Sequence, residues 1–148
     1  MVRNILIALT LLLLAGVAQA QSPVTPASPI WESTLAEVRQ LDVADYEVGF
    51  TLSPGKFHLL SDRLLQLGKL GDFQRLLTDQ SPMVRVMGLI CLARIMKAAD
   101  FQPVAVRVAE DHAHIRYQEG CISKVSTVEE IARQLVEGKF FLAERRKP

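Results

Sequence analysis

The sequence predicts a domain of the mainly α-helical, all-α class, and two observations carry this prediction. A serine followed by a proline precedes three of the predicted helices, at Ser28-Pro29, Ser53-Pro54 and Ser81-Pro82. Serine is a preferred helix N-cap, and proline fits the first turn of a helix. Behind each pair, apolar residues recur every three or four positions, which is the spacing of one helix face.

The first two predicted helices are amphipathic. Trp31, Leu35 and Val38 predict a helix over about 30–41. The second helix is predicted by an apolar stripe, which Gly68 ends: Phe57, Leu60, Leu64 and Leu67. The stretch 42–55 between them is interpreted as a connection, and 72–79 as a further short helix.

The segment 82–98 is predicted to be a central helix. It is apolar on nearly all sides, which is typical of a helix that other elements surround. Arg85, Arg94 and Lys97 interrupt it and argue against a membrane span. The next stretch, 101–109, fits both a helical stripe and strand alternation. We predict a short helix there and keep a strand as the alternative.

The region near 112–125 is predicted to be a short extended segment or a small hairpin. Glu119-Gly120 indicates its turn. Ser126 and Glu129 then have the spacing of a capping box, in which the serine caps a helix and the glutamate bonds back to it. Gly138 is expected to end that last helix.

The ends of the chain predict processing and export. Residues 1–20 have a basic start, an apolar run and a small-x-small site, which predicts a signal peptide. The run is shorter than the roughly 20 residues that a membrane span needs, which favours cleavage over a retained anchor. Residues 21–29 are expected to be a Pro/Ser-rich linker, 30–142 a single helical domain and 143–148 a basic tail. A periplasmic or secreted location follows.

The charge balance restricts the possible partners. The full chain has 17 basic and 16 acidic residues, and removal of residues 1–20 takes away only Arg3. A neutral domain argues against nucleic acid and against an anionic membrane surface. The sequence has no Gly-rich phosphate loop, no paired CxxC and no HExxH. We therefore expect no cofactor, and a partner protein of unknown identity.

The stretch "LLTDQSPMVRVMGLICLARI" resembles a HEAT repeat, the helix-turn-helix unit of α-solenoids. The family has an aspartate near the end of its first helix and a Val-Arg pair early in its second. Asp79 and Val84-Arg85 occupy these positions, within a unit of about 57–97. The resemblance implies a structural ion pair between Asp79 and Arg85. It also implies a small HEAT-like domain of the α-α superhelix type, acting as a non-catalytic binding or scaffold module.

Two other functions remain open. His112 and His114 lie two residues apart, so a strand would point both to one face. With Glu110 or Asp111, and with a further ligand such as His58, they could hold zinc or copper in a periplasmic metal-binding protein. The third candidate is an unrecognised hydrolase. No catalytic residue is predicted, because no residue has an assignable companion for nucleophilic catalysis.

The two cysteines, Cys91 and Cys121, are predicted to form a disulfide bond. An even number of cysteines in an oxidising compartment usually means a bridge. The alternative is a pair of free thiols that pack as small apolar groups.

Overall fold

Residues 28–48 and 53–139 are described by the computed structural model. They form helices and strands in this order: α1 (Pro29–Arg39), β1 (Ala44–Val48), β2 (Ser53–Pro54), α2 (Lys56–Leu67), α3 (Leu70–Leu76), α4 (Pro82–Ile95), α5 (Ala98–Val106), β3 (His114–Gly120), β4 (Ile122–Thr127) and α6 (Val128–Val136). The predicted signal peptide, most of the predicted linker and the predicted basic tail lie outside the described residues.

Helix α4 is the centre of the domain. Ten of its fourteen residues are buried, because it packs against the other five described helices and against β3. On one side of it, the rings of Trp31 from α1 and Phe73 from α3 meet at 5.7 Å between centroids. The sequence-based prediction of a surrounded helix is confirmed.

A four-stranded sheet, in the order β2-β1-β3-β4, lies beside the helices. The central pair, β1 and β3, is parallel, and both outer pairs are antiparallel. Side chains on one face are buried towards the helices: Ala44, Tyr46, Ile115 and Tyr117. Strand β4 forms one edge of this sheet, and its Ile122 and Val125 are exposed.

This sheet corrects the all-α prediction, while the mainly helical character is confirmed. The stretch 42–55, predicted as a connection, contains β1 and β2. Strand β1 pairs with β3, which lies far along the chain, and Ala44 is opposite Tyr117. The local sequence pattern around β1 therefore does not predict this strand. The hairpin near 112–125 is confirmed as β3 and β4, and the helix predicted over 101–109 is confirmed as α5.

A close contact fastens the sheet to α2. The Asp45 carboxylate accepts a hydrogen bond from the Phe57 amide at 2.7 Å, and the Gly55 amide donates to the Tyr46 carbonyl at 2.9 Å. A Cβ atom at position 55 would lie 2.3 Å from the Asp45 carbonyl oxygen. Glycine is therefore needed here because the backbone of β1 approaches so closely.

The start of α6 corrects the predicted capping box by one residue. Thr127, not Ser126, is the N-cap, and its hydroxyl accepts from the Glu130 amide at 3.2 Å. Ser126 lies opposite the buried Ile115 in the β3–β4 register, so its side chain faces inward. Its hydroxyl is buried and has no hydrogen-bond partner among the described residues.

Candidate protein-binding groove

An open groove runs between α5 and α6, with a cavity volume of about 240 Å³. The α5 side is lined by Gln102, Ala105, Val106 and Ala109, and the α6 side by Glu129, Arg133 and Val136. Almost all of its surface is apolar. We call this feature the α5–α6 groove.

Two exposed valines line the groove. Val106 is 69% exposed and Val136 is 38% exposed. Both lie away from the side chains that bury each helix, such as Phe101 and Val104 on α5 and Ile131 on α6. Exposed apolar groups that line one groove are typical of an interaction site, whereas scattered ones are ordinary. The sequence carried one signal of this site: Val106 falls outside the inward stripe of α5.

The charged groups beside the groove are paired with one another. Arg133 donates to Glu130 at 2.6 Å and to Glu137 at 2.8 Å. The hydrogen bond from Arg133 holds the pKa of Glu130 below its ordinary value. Glu129 accepts from His112 at 2.8 Å. Because these side chains already bond one another, the groove offers a ligand chiefly apolar contact.

The predicted ion pair between Asp79 and Arg85 is not formed, because each side chain has another partner. The Asp79 carboxylate binds Arg39 of α1 at 2.6 Å and accepts from the Ser81 amide at 2.8 Å. Partial burial opposes ionisation, but these bonds hold the pKa of Asp79 below its ordinary value. Arg85 contacts Asp79 only through the backbone carbonyl, at 2.7 Å.

The carboxylate that Arg85 binds belongs to Asp111. The Nε and Nη2 atoms of Arg85 donate to the two carboxylate oxygens of Asp111 at 2.6 and 3.0 Å. Arg85 also donates to the Gln80 carbonyl at 3.0 Å, so it still closes the turn between α3 and α4. Sequence reasoning missed Asp111 because it lies 26 residues away.

The histidines predicted as possible metal ligands are not brought together. His112 is exposed and paired with Glu129, His114 is exposed at the start of β3, and His58 is buried in α2. Within residues 28–48 and 53–139, no group of three or more His, Cys, Asp or Glu side chains could hold a metal ion. The His112–Glu129 contact instead lies beside the α5–α6 groove.

The two cysteines are both free. Cys91 is fully buried in α4, and Cys121 is exposed at the turn between β3 and β4. The structure thus lacks the predicted Cys91–Cys121 disulfide, because one thiol faces the core and the other faces solvent. Burial raises the pKa of Cys91 to about 12, which keeps it a neutral and inert thiol.

A partly buried polar network joins β1, α2 and α4. The His58 ring stacks on the Tyr46 ring at 3.9 Å between centroids, and its Nε2 lies 3.4 Å from Asp62. Asp62 pairs with Arg94 at 2.6 Å. The Ser61 hydroxyl donates to the His58 backbone carbonyl at 2.7 Å. The Ser61 hydroxyl also accepts a hydrogen bond from Arg94 at 3.0 Å, so Ser61 and Asp62 both hold the end of α4 against α2.

Comparison with known proteins gives a likeness of fold. No family model matches the chain, and no curated protein matches it. The structure is similar to a chain in the Snu23-Prp38-MFAP1(217-258) complex of Chaetomium thermophilum, with a TM-score of 0.65 and 15% identity. The match covers 72% of this chain and 57% of that chain, so this protein spans little more than half of the similar chain.

The comparison contradicts the predicted periplasmic or secreted location. The similar chain belongs to the Snu23-Prp38-MFAP1(217-258) complex, and this finding stands against an exported location. We therefore withdraw the prediction of export. Among the described helices, none is both long enough and apolar enough to cross a membrane.

Proposed function

We propose that this protein is a non-catalytic binding module that holds an apolar segment of a partner protein in the α5–α6 groove. The observation that carries the proposal is the groove itself, in which Val106 and Val136 are exposed and the nearby polar side chains bond one another. A partner that covers these valines removes apolar surface from water, which favours binding by roughly 25 cal/mol for each Å² covered. The similar chain also comes from a complex of several proteins, which supports a binding role.

The proposal includes a HEAT-like unit formed by residues 57–97, that is, by α2, α3 and α4. Two features support it: α3 and α4 pack together across a short connection, and Arg85 donates to the Asp79 and Gln80 carbonyls of that connection. Such a unit would act as a rigid support on which α5 and α6 present the groove.

Photo-crosslinking in cells tests the binding role. A photoreactive phenylalanine analogue placed at Val106 is expected to capture one defined partner. The matched control places it at Leu59, which is 56% exposed on α2 and does not line the groove. Equal capture from both positions, or none from Val106, would contradict the proposal.

Affinity measurements with the captured partner give the second test. The substitution Val106→Asp places a charge in the apolar groove and is expected to weaken binding by at least about tenfold, as burying an unpaired charge is costly. Leu59→Asp introduces the same charge on an exposed position of α2 and should leave the affinity unchanged.

A further inference from the structure

The outer edge of β4 is a second surface at which this protein can meet another chain. Among the residues that the structure describes, no strand pairs with this edge. Ile122 and Val125 of β4 are exposed. Because successive side chains of a strand alternate, these two point to opposite faces of the sheet. An edge with open backbone groups and exposed apolar side chains can pair with a strand of another chain.

The hydrogen bonds of the β3–β4 hairpin show which backbone groups face the open edge. The Val128 amide donates to the Ala113 carbonyl at 3.1 Å, one step beyond the last pair of the register. Bonded and non-bonded pairs alternate along an antiparallel ladder, so every second residue counted back from Val128 bonds to β3. The residues between them direct their amide and carbonyl groups to the edge. Within β4 these are Ser123, Val125 and Thr127.

Two basic side chains flank this edge, one on each face of the sheet. Lys124 is the one charged residue of β4, and its ammonium group lies 5.7 Å from the centroid of the Tyr117 ring. Arg116 is opposite Val125 on the other face, where it is exposed and forms no ion pair within residues 28–48 and 53–139.

The position of Lys124 decides between two kinds of occupant. Lys124 lies in the middle of β4, so a two-fold pairing of β4 with a second copy would bring it close to its own equivalent. Like charges that meet across two strands are destabilising, and a lysine on an edge strand opposes such self-pairing. An acidic residue opposite Lys124 would instead be attracted to it.

We propose that the open edge of β4 binds an extended segment of a partner protein as a fifth strand of the sheet. The segment places an acidic residue opposite Lys124 and apolar residues beside Ile122 and Val125. Backbone hydrogen bonds to Ser123 and Val125 provide affinity, and the side chains provide selectivity. This surface is separate from the α5–α6 groove, which no residue of β4 lines.

Binding of a synthetic peptide to the full chain tests this inference. The peptide has about eight residues, an ordinary strand length, with one central glutamate among alternating threonines and valines. A matched peptide carries lysine in place of the glutamate. In fluorescence anisotropy, the glutamate peptide is expected to bind about fivefold more tightly, because an opposite-charge pair replaces a like-charge pair. The variant Lys124→Glu keeps the strand and should reverse this order. Equal affinities, an unchanged order in the variant or no binding of either peptide would overturn the inference.

Two further variants locate the bound peptide. Val125→Pro removes an edge-facing amide that takes no part in the β3–β4 ladder and should abolish binding. Val106→Asp alters the α5–α6 groove and should leave binding unchanged. Binding lost in Val106→Asp but kept in Val125→Pro would place the peptide in the groove and refute the inference.

Hydrogen exchange of the unaltered protein gives a measure that needs no variant. The Ser123 and Val125 amides should become protected when the glutamate peptide binds, whereas the Ile122 and Lys124 amides should be protected already. No change at Ser123 and Val125 would contradict the inference. Dimerisation of the peptide-free protein through β4, measured by sedimentation and lost in Val125→Pro, would make a second copy the occupant and overturn it as well.

Discussion

Arg85 and Asp111 form a two-point ion pair that joins the central helix to the segment entering β3, at 2.6 and 3.0 Å. Both side chains are largely withdrawn from solvent, at 14% and 18% exposure. The backbone carbonyl of Asp111 accepts from the Glu129 amide at 3.1 Å. This pair therefore fixes α4, the start of β3 and the start of α6 relative to one another.

The first prediction concerns the partner of Arg85. We expect Arg85→Ala and Asp111→Ala each to lower the free energy of unfolding by about 2–3 kcal/mol, because each leaves a partly buried charge without its bonds. In a double-mutant cycle by chemical denaturation, these two changes should be strongly coupled. Arg85→Ala and Asp79→Ala should be coupled more weakly, since Arg85 bonds only the backbone carbonyl of Asp79. Stronger coupling of Arg85 to Asp79 than to Asp111 would contradict the structure.

The second prediction concerns the contact between β1 and α2. Gly55→Ala places a Cβ against the Asp45 carbonyl and should cost about 1–3 kcal/mol of stability, as overpacking does. The matched change is Gly71→Ala in α3, where an added Cβ meets nothing within 4 Å. That change should stabilise the protein by up to about 1 kcal/mol, because alanine is the better helix former. Thermal melts of both variants check the contrast, and a harmless Gly55→Ala would refute the close contact.

The third prediction distinguishes two neighbouring hydroxyl groups. Thr127→Ala removes the N-cap of α6 and should cost about 1 kcal/mol. Ser126→Ala removes a buried hydroxyl that has no partner among the described residues, so stability should stay the same or rise. Urea denaturation of the two variants measures both effects. A larger loss for Ser126→Ala would favour the capping box that the sequence suggested.

The fourth prediction concerns thiol reactivity. Because Cys91 is buried with a pKa raised to about 12, a thiol reagent at pH 8 should modify only Cys121 in the folded protein. Under denaturing, non-reducing conditions it should modify both cysteines, and mass spectrometry counts the adducts. If neither cysteine is modified after denaturation, the result would support the predicted Cys91–Cys121 disulfide and contradict the structure.

The burial of the Cys91 thiol also makes the stability of the protein depend on pH. In the unfolded chain the Cys91 thiol ionises near its ordinary pKa of 9.0, whereas in the folded protein it stays protonated to about pH 12. The unfolded state therefore releases its proton first, and stability should fall as the pH rises from about 9 to about 12. The Cys91→Ala variant should show a shallower alkaline decline in denaturation experiments, although its stability at pH 7 is lower.

The sequence was most informative where structure is local. Ser81-Pro82 and the apolar residues behind them predict α4, because a cap, a first-turn proline and a stripe all lie within a few turns. The position of Val106 on α5 likewise follows from helical spacing. Strand β1 could not be predicted in this way, since its partner β3 lies about 70 residues further on. The ion-pair partners of Arg85 and Asp79 could not be predicted for the same reason. Asp111 lies 26 residues from Arg85, and Arg39 lies 40 residues from Asp79.

The parallel pairing of β1 with β3 has a consequence for the order of folding. Ala44 meets Tyr117 only after α2, α3, α4 and α5 have been made, since all four lie between the two strands. Contacts between residues so distant in sequence slow folding, because the intervening loop must close first. During synthesis the helices can pack early. The edge of β1 that pairs with β3 stays without a partner until β3 has left the ribosome. In that interval β1 is the segment most exposed to pairing with a neighbouring nascent chain.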